Sequence, residues 1–270
     1  YNPMSIASRI MLYASVCCAF VIKVCLLVCV THLNDAITSR ARVRACTGCA
    51  RPVPLGAMKD DFSHISTWVF DLDHTLYPPS ARLFDLIEVR MTDYVMNALG
   101  VERTEADRLR KHYWATHGTT LAGLMREHDV DPAPYLDDVH DIPMDRLEHD
   151  PELAARITSL PGRRIVYTNG CAPYAERVLE ARGLAGLFDA VYGVEHADFL
   201  PKPDHDAFAK VFEKDGLVPS KAAMFEDDPR NLQVPHTLGM RTVHVSDERQ
   251  HAPHIHYHTD DLSGFLAKII

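Results

Sequence analysis

Residues Thr67-Trp68-Val69-Phe70 form a short β-branched and aromatic run, the pattern of a buried strand. Tyr77-Pro78-Pro79-Ser80 follows closely; its prolines cannot continue a strand and mark a turn into a helix. Over 81–99 the apolar residues Leu83, Leu86, Ile87, Met91, Tyr94, Val95 and Leu99 recur at helical spacing, and Gly100 ends the run. Helical patterns continue over 105–116, 120–127 and 144–160, so residues 80–160 predict an all-helical block. The rhythm then changes. Strand patterns at 164–167, 190–192, 222–225 and 241–245 alternate with helical patterns at 173–182, 204–214 and 230–238. Such alternation implies a parallel sheet covered by helices on both faces. The expected fold is α/β: a Rossmann-like three-layer α/β/α core over 58–79 and 161–270, with an inserted all-helical cap over 80–160.

The first 57 residues read differently. Ile10 to Val30 is an almost unbroken apolar run, long enough to cross a bilayer, with Lys23 as its one charge. Arg9 precedes it and four arginines follow, an asymmetry that leaves the body cytoplasmic if 10–30 is a membrane segment. Two other readings stand beside this. Met58 directly precedes the first strong strand and could be the true start of a cytoplasmic protein, making 1–57 upstream sequence. A cleaved signal peptide is the third, although Arg9 alone is a thin basic region and no small-x-small cleavage site follows. Cys46-Thr-Gly-Cys49 is half of a zinc-site pattern without its second half, and no function is assigned to it. The expected location is the cytoplasm, with membrane anchoring through 10–30 as the alternative.

Charge and cysteine content divide at the same place. Six basic residues and one acid lie in 1–57, so residues 58–270 are more acidic than the −9 of the whole chain. That excludes a sequence-independent binder of nucleic acid polymers, which must displace counterions from phosphates with Lys and Arg. A small-molecule role is favoured. Beyond residue 57 the chain has one cysteine, Cys171, so the body needs no disulfide and no oxidising compartment.

In an open parallel sheet, ligands bind at the C-terminal ends of the strands. Three predicted strands end in polar sequence: Asp71-Leu72-Asp73-His74-Thr75-Leu76, Thr168-Asn169-Gly170 and Glu226-Asp227-Asp228; Lys202-Pro203-Asp204 falls in the loop after a fourth. Of two carboxylates two residues apart at a strand end, one can act as nucleophile and the other as general acid and base. Adding Asp227 gathers several acids in one crevice, which is untenable without a cation. Mg²⁺, a hard ion bound by carboxylates, water and substrate phosphate, resolves this. Thr168 offers a hydroxyl and Lys202 a point charge to phosphate oxygens. Together these predict metal-assisted phosphoryl transfer.

These four segments, in this order, resemble the motifs of the haloacid dehalogenase superfamily from Thr67 to about Val245. The wording Asp71-Leu-Asp73-x-Thr75-Leu-Tyr-Pro with Glu226-Asp227-x-x-x-Asn231-Leu is most similar to its pyrimidine 5′-nucleotidase group. The resemblance implies that Asp71 attacks phosphorus and becomes an aspartyl-phosphate, while Asp73 protonates the leaving oxygen and then activates water. It implies that Thr168 and the Asn169 backbone hold phosphoryl oxygens and that Lys202 steadies both the phosphate and Asp71. Mg²⁺ would lie on Asp71, the Asp73 main-chain carbonyl and Asp227. The implied substrate is a small phosphorylated metabolite, a pyrimidine nucleoside monophosphate first. Another phosphatase of the same superfamily, a phosphosugar mutase and a membrane-tethered non-catalytic binding module are the competing readings. A haloacid dehalogenase would lack the second acid, so Asp73 and Asp227 weigh against it.

Other residues have plainer expectations. His74 departs from the Asn or Gly usual after the second acid and is not assigned to catalysis. Glu226 and Asp228 divide between supporting the site and capping the next helix. Tyr113 and Trp114 are cap-core residues by spacing, with contact to a substrate base as the alternative. His251, His254, His256 and His258 read as a solvated loop rather than a metal site.

Overall fold

The computed structural model describes residues 55–270. The apolar run at 10–30, the Cys46–Cys49 pair and most of the N-terminal extension lie outside the described residues. Among the described residues, no helix is long and apolar enough to cross a membrane.

Six parallel strands form one sheet in the order β3-β2-β1-β4-β5-β6: β1 Thr67–Phe70, β2 Arg163–Tyr167, β3 Ala190–Tyr192, β4 Ala222–Glu226, β5 Arg241–Val245 and β6 Tyr257–Thr259. The α/β Rossmann-like core is therefore present. Side-chain alternation sorts the strands into two cores. Trp68, Phe70, Phe225 and Val243 pack on one face, and Val69, Ile165, Met224 and Tyr167 on the other. The first face is sealed by α1 (Leu55–Phe62) and α10 (Leu262–Ile269), where Phe62, Phe225 and Phe265 meet edge to face. The second is sealed by α8 (His205–Asp215) through Phe208, Val211 and Phe212.

Between β1 and β2 lie α2 (Leu83–Leu99), α3 (Arg103–His117), α4 (Thr120–His128), α5 (Pro132–His140) and α6 (Pro151–Ser159). The first four pack on one another around Tyr113, Leu124, Tyr135 and Val139. Helix α5 was not expected, although Asp131 caps it and Pro132 opens it. The helix expected over 144–160 is only its last part. Pro151 has no N–H to donate and begins α6, Asp150 caps it, and residues 141–150 run without helix. Arginines hold that irregular stretch: Arg177 donates to the carbonyls of His140 and Ile142, and Arg182 to the Glu148 carbonyl and the Asp150 carboxylate. Helix α6 packs against α10 rather than against the α2–α5 group. On the other side of β2 come α7 (Ala172–Ala181), and after β4 a 3₁₀ turn, Pro229–Leu232, leading into α9 (Gln233–Thr237).

Candidate active site

Strand register places the chemistry. Phe70 lies opposite Val166 on one side and Phe225 on the other, so Asp71, Tyr167 and Glu226 come abreast at the strand ends. The Phe70 and Phe225 rings stack at 4.7 Å, and the Asp71 N–H donates to the Phe225 carbonyl at 2.9 Å, locking that level. This is where strand order reverses between β1 and its neighbours, the place an open α/β sheet offers a ligand.

Lys202 enters from the loop after β3. Asn169 clamps its backbone from both sides: Lys202 N donates to Asn169 Oδ1 at 2.7 Å, and Asn169 Nδ2 donates to the Lys202 carbonyl at 3.1 Å. The ammonium is 1% exposed and spends all three donors, on Asp71 Oδ1 (2.6 Å), Glu226 Oε2 (2.6 Å) and the Tyr167 carbonyl (3.0 Å). Burial acts against its charge, but the two carboxylates more than offset this and hold the lysine above its ordinary pKa. The carboxylates are in excess. Burial first, and then the Glu226 charge, push Asp71 up to about 8 despite Lys202. Burial likewise lifts Glu226 to about 8, and Asp227 rises for the same reason. Oxygens of Asp71, Glu226 and Asp227 lie within 4.8 Å of one another, a set of hard oxygen donors whose surplus negative charge suits Mg²⁺. Glu226 is the member not expected as part of this cluster. Its oxygens are engaged by Lys202 and by the Asp228 N–H (3.2 Å), which leaves Asp71 and Asp227 the freer ligands.

Beyond β1 the chain turns tightly, with His74 in the left-handed region at φ 61°, uncommon for a residue with a side chain. Asp73 is thereby carried to a wall formed by two phenols. Its Oδ1 accepts from Tyr77 OH at 2.6 Å and Tyr174 OH at 2.7 Å, leaving Oδ2 free of both. Burial and the Asp73 charge drive both phenol pKa values upward, so the tyrosines stay donors. His74 Nδ1 lies 3.5 Å from Asp227 Oδ2, and that contact raises the imidazole pKa. Thr168 is buried, with Oγ1 accepting from the Gly170 N–H at 2.9 Å, which pins the turn after β2. Asp228 caps the 3₁₀ turn, accepting from Arg230 N at 2.9 Å and pairing with its guanidinium.

Asp71, Asp73, Thr168, Asn169, Lys202 and Asp227 all line one cavity of about 470 Å³ whose far wall is built from α2–α5. Every residue singled out for the site from sequence is brought together there. The arrangement gathers two aspartates, a lysine cation and a cluster of carboxylate oxygens able to hold a metal around one space. Sequence pattern does not mark Tyr77 and Tyr174 as partners of Asp73; only Tyr77, four residues on in the same motif, carries a local hint. Tyr113 is fully buried, bonds His128 through its hydroxyl at 2.6 Å and does not line the cavity, so the base-contact alternative fails for it. Trp114 does line the cavity and lies 3.9 Å over the Arg230 guanidinium. Of the C-terminal histidines, His258 lies on β6 and His251, His254 and His256 in the irregular stretch before it. His256 Nδ1 lies 2.7 Å from Thr242 Oγ1 and His258 Nδ1 lies 3.1 Å from His244 Nδ1. Among the described residues the only cluster of three metal-ligating side chains is the carboxylate one.

Comparison with known proteins bears on the family and the fold. Over 201 residues the chain is 26% identical to Phosphate metabolism protein 8 of Saccharomyces cerevisiae, a match covering 67% of this chain and 62% of that protein. Over 162 residues it is 28% identical to the fructose-1-phosphate phosphatase YqaB of Escherichia coli, covering 59% and 68%. The chain thus spans less than two thirds of the length of the yeast relative. Among solved structures, CbbY from Rhodobacter sphaeroides in complex with phosphate is similar at TM-score 0.54 and 20% identity, over 76% of this chain and 99% of that one. The HAD-hydrolase YfnB from Bacillus subtilis, bound to magnesium, is similar at TM-score 0.51 and 15% identity, over 76% and 98%. Residues 68–245, from β1 through β5 and so including every one of the four motif segments, match the haloacid dehalogenase-like hydrolases, and the chain belongs to that family.

Proposed function

We propose that this protein is a Mg²⁺-dependent cytoplasmic phosphatase of small phosphomonoesters, acting as a pyrimidine 5′-nucleotidase. The observation that carries the reading is the buried Lys202 ammonium on Asp71 Oδ1, at 2.6 Å, facing the same cavity as Asp73. A lysine there holds one aspartate oxygen in place and offers positive charge where a phosphoryl dianion must approach a carboxylate. The names of the two curated relatives point to phosphate metabolism and to a phosphomonoester.

Asp71 attacks phosphorus in line and the ester oxygen leaves with the proton of Asp73, giving an aspartyl-phosphate. Asp73, now a carboxylate, takes a proton from water; the water oxygen attacks phosphorus and Asp71 is released with inorganic phosphate. The two tyrosines orient Asp73 through one oxygen so that the other is presented to the leaving group. Thr168 and the Asn169 backbone receive phosphoryl oxygens, while the Asn169 side chain positions Lys202. Asp71, Asp227 and the Asp73 carbonyl would hold Mg²⁺, which supplies charge neutralisation between carboxylates and phosphate. Helices α2–α5 act as the cap that excludes water and reads the leaving group.

The test is phosphate release by purified protein from UMP, CMP, AMP, fructose 1-phosphate and glucose 1-phosphate, with and without EDTA. Release is expected from the pyrimidine nucleotides, lost in EDTA and restored by Mg²⁺. Isomerisation of a sugar phosphate without phosphate release would establish a mutase instead, and inactivity on every ester would refute the proposal.

A further inference from the structure

The peptide that follows Asp227 is gripped at both of its poles. Asp227 lies one residue past the end of β4, and a trans peptide joins it to Asp228. The N–H of that peptide, on Asp228, donates to Glu226 Oε1 at 3.2 Å, while Glu226 Oε2 is held by the Lys202 ammonium at 2.6 Å. The carbonyl of the same peptide, on Asp227, lies 2.9 Å from His244 Nε2. A carbonyl oxygen only accepts, so Nε2 carries the imidazole proton and donates it. His244 belongs to β5 and is 1% exposed, so bulk water does not compete for that bond.

His244 is itself set from the sheet edge. Glu226, His244 and His258 stand abreast across β4, β5 and β6, so their side chains leave the same face of the sheet. His258 Nδ1 lies 3.1 Å from His244 Nδ1. With the proton of His244 on Nε2, its Nδ1 presents a lone pair, and His258 donates to it. One chain of contacts, His258 to His244, therefore holds the carbonyl; another, Asp71 to Lys202 to Glu226, holds the N–H. A planar unit fixed at both poles cannot turn, and the Cα–Cβ bond of Asp227 keeps one direction. Mg²⁺ needs that constraint, because it demands near-octahedral geometry and a ligand set held to within about 0.5 Å.

We propose that His244, oriented by His258, is a positioning residue for Asp227 and keeps its carboxylate aimed at the metal position shared with Asp71. This rests on the reading that Asp71 and Asp227 hold Mg²⁺. It goes further, placing part of the affinity for the ion in two histidines outside the carboxylate cluster. A bond that only stitched β5 to the turn would add stability and leave metal affinity untouched, which separates the two roles.

The test melts the full chain as wild type, His244→Leu, His244→Gln and His258→Leu, first in EDTA and then across a Mg²⁺ titration. The rise in Tm with concentration gives Kd for Mg²⁺ without any substrate. His244→Leu keeps apolar bulk but no donor, and its Kd is expected to rise about tenfold, the low end of the effect of losing an outer-shell partner. His244→Gln, whose amide nitrogen can donate to the same carbonyl, is expected to stay within about 3-fold of wild type. His258→Leu leaves His244 without its donor and is expected to raise Kd about 3-fold. An unchanged Kd in His244→Leu, whatever its Tm in EDTA, would overturn the positioning role and leave the metal reading standing; so would equal losses in the Leu and Gln variants. Should His244→Leu fail to fold, an unchanged Kd in His258→Leu would overturn it instead. A wild type whose Tm does not respond to Mg²⁺ would overturn both.

Discussion

Replacing Lys202 with methionine tests the electrostatic centre of the site directly. The side chains of Lys202, Asp71 and Glu226 are 1%, 7% and 1% exposed, so water cannot take over from a missing ammonium. Methionine fills much of the same volume, which confines the perturbation to charge and three hydrogen bonds. Breaking a buried pair by removing one partner costs about 3–5 kcal/mol. Here the lower end is expected, because carboxylates already lifted to about 8 take up protons readily near neutrality. For a chain of this size about 3 kcal/mol corresponds to a fall in Tm of roughly 6–12 °C.

The deficit must also depend on pH, and its sign is fixed. Carboxylates raised from their ordinary values to about 8 bind more protons in the folded than in the unfolded state between about pH 4 and 8. Their ionisation therefore opposes folding increasingly as pH rises through that window. Without Lys202 to counter it, that penalty grows. Thermal melts in EDTA followed by circular dichroism should show Lys202→Met further below wild type at pH 8.5 than at pH 6. A deficit under about 2 °C, or one of equal size at both pH values, would show that Lys202 does not balance these carboxylates. Turnover should be lost at every pH.

Asp71→Asn should abolish phosphate release yet raise Tm in EDTA at pH 8 by a few degrees, since it removes one charge from an over-acidic cluster; melting and activity measured on one preparation check both. Burial holds the His140 imidazole down at about 4, so stability present above pH 6.5 should be lost as pH falls toward 4, by up to about 3 kcal/mol. Urea titrations at pH 7 and 4.5 should show that slope in wild type and a flatter one in His140→Phe, which keeps the stack on Tyr174 at 4.3 Å without the titration. Gly123→Ala should destabilise by about 1–3 kcal/mol in urea, because its methyl would overlap the buried Tyr113 ring where α4 crosses α3.

The sheet was legible in the sequence because its central strands are buried on both faces and their apolar runs stand out against polar flanks. β1 and β5 match the expected ranges, and β2 and β4 differ by one residue at an end. What escaped was structure maintained by partners distant in sequence. β6 is three residues, Tyr257-His258-Thr259, at the sheet edge; nothing in so short a polar run announces a strand, and its pairing with β5 makes it one. The break before α6 was readable in Pro151, but what occupies 141–150 was not, because arginines from α7 and the residue after it hold that stretch.

The same distinction runs through the site. Asp71, Asp73, Thr168, Lys202 and Asp227 are legible because each follows a strand, and strand ends converge by topology alone. Glu226 follows the same rule, and its pairing with Lys202 is a consequence of register: Phe70 opposite Phe225 forces Asp71 and Glu226 to the same level, where one ammonium reaches both. The hold on Asp73 needs more. Tyr174 lies 101 residues away, on a helix whose angle to the sheet depends on packing. The cap-side wall of the cavity is the extreme case, since Glu88 and Arg110 come from two helices and pair at 2.8 Å only through the way those helices cross. Chemistry common to the family thus rests on strand ends, which simple rules of chain pattern locate. The cap-side wall of the cavity depends instead on helix crossings, which are set by the side-chain packing of the individual helices.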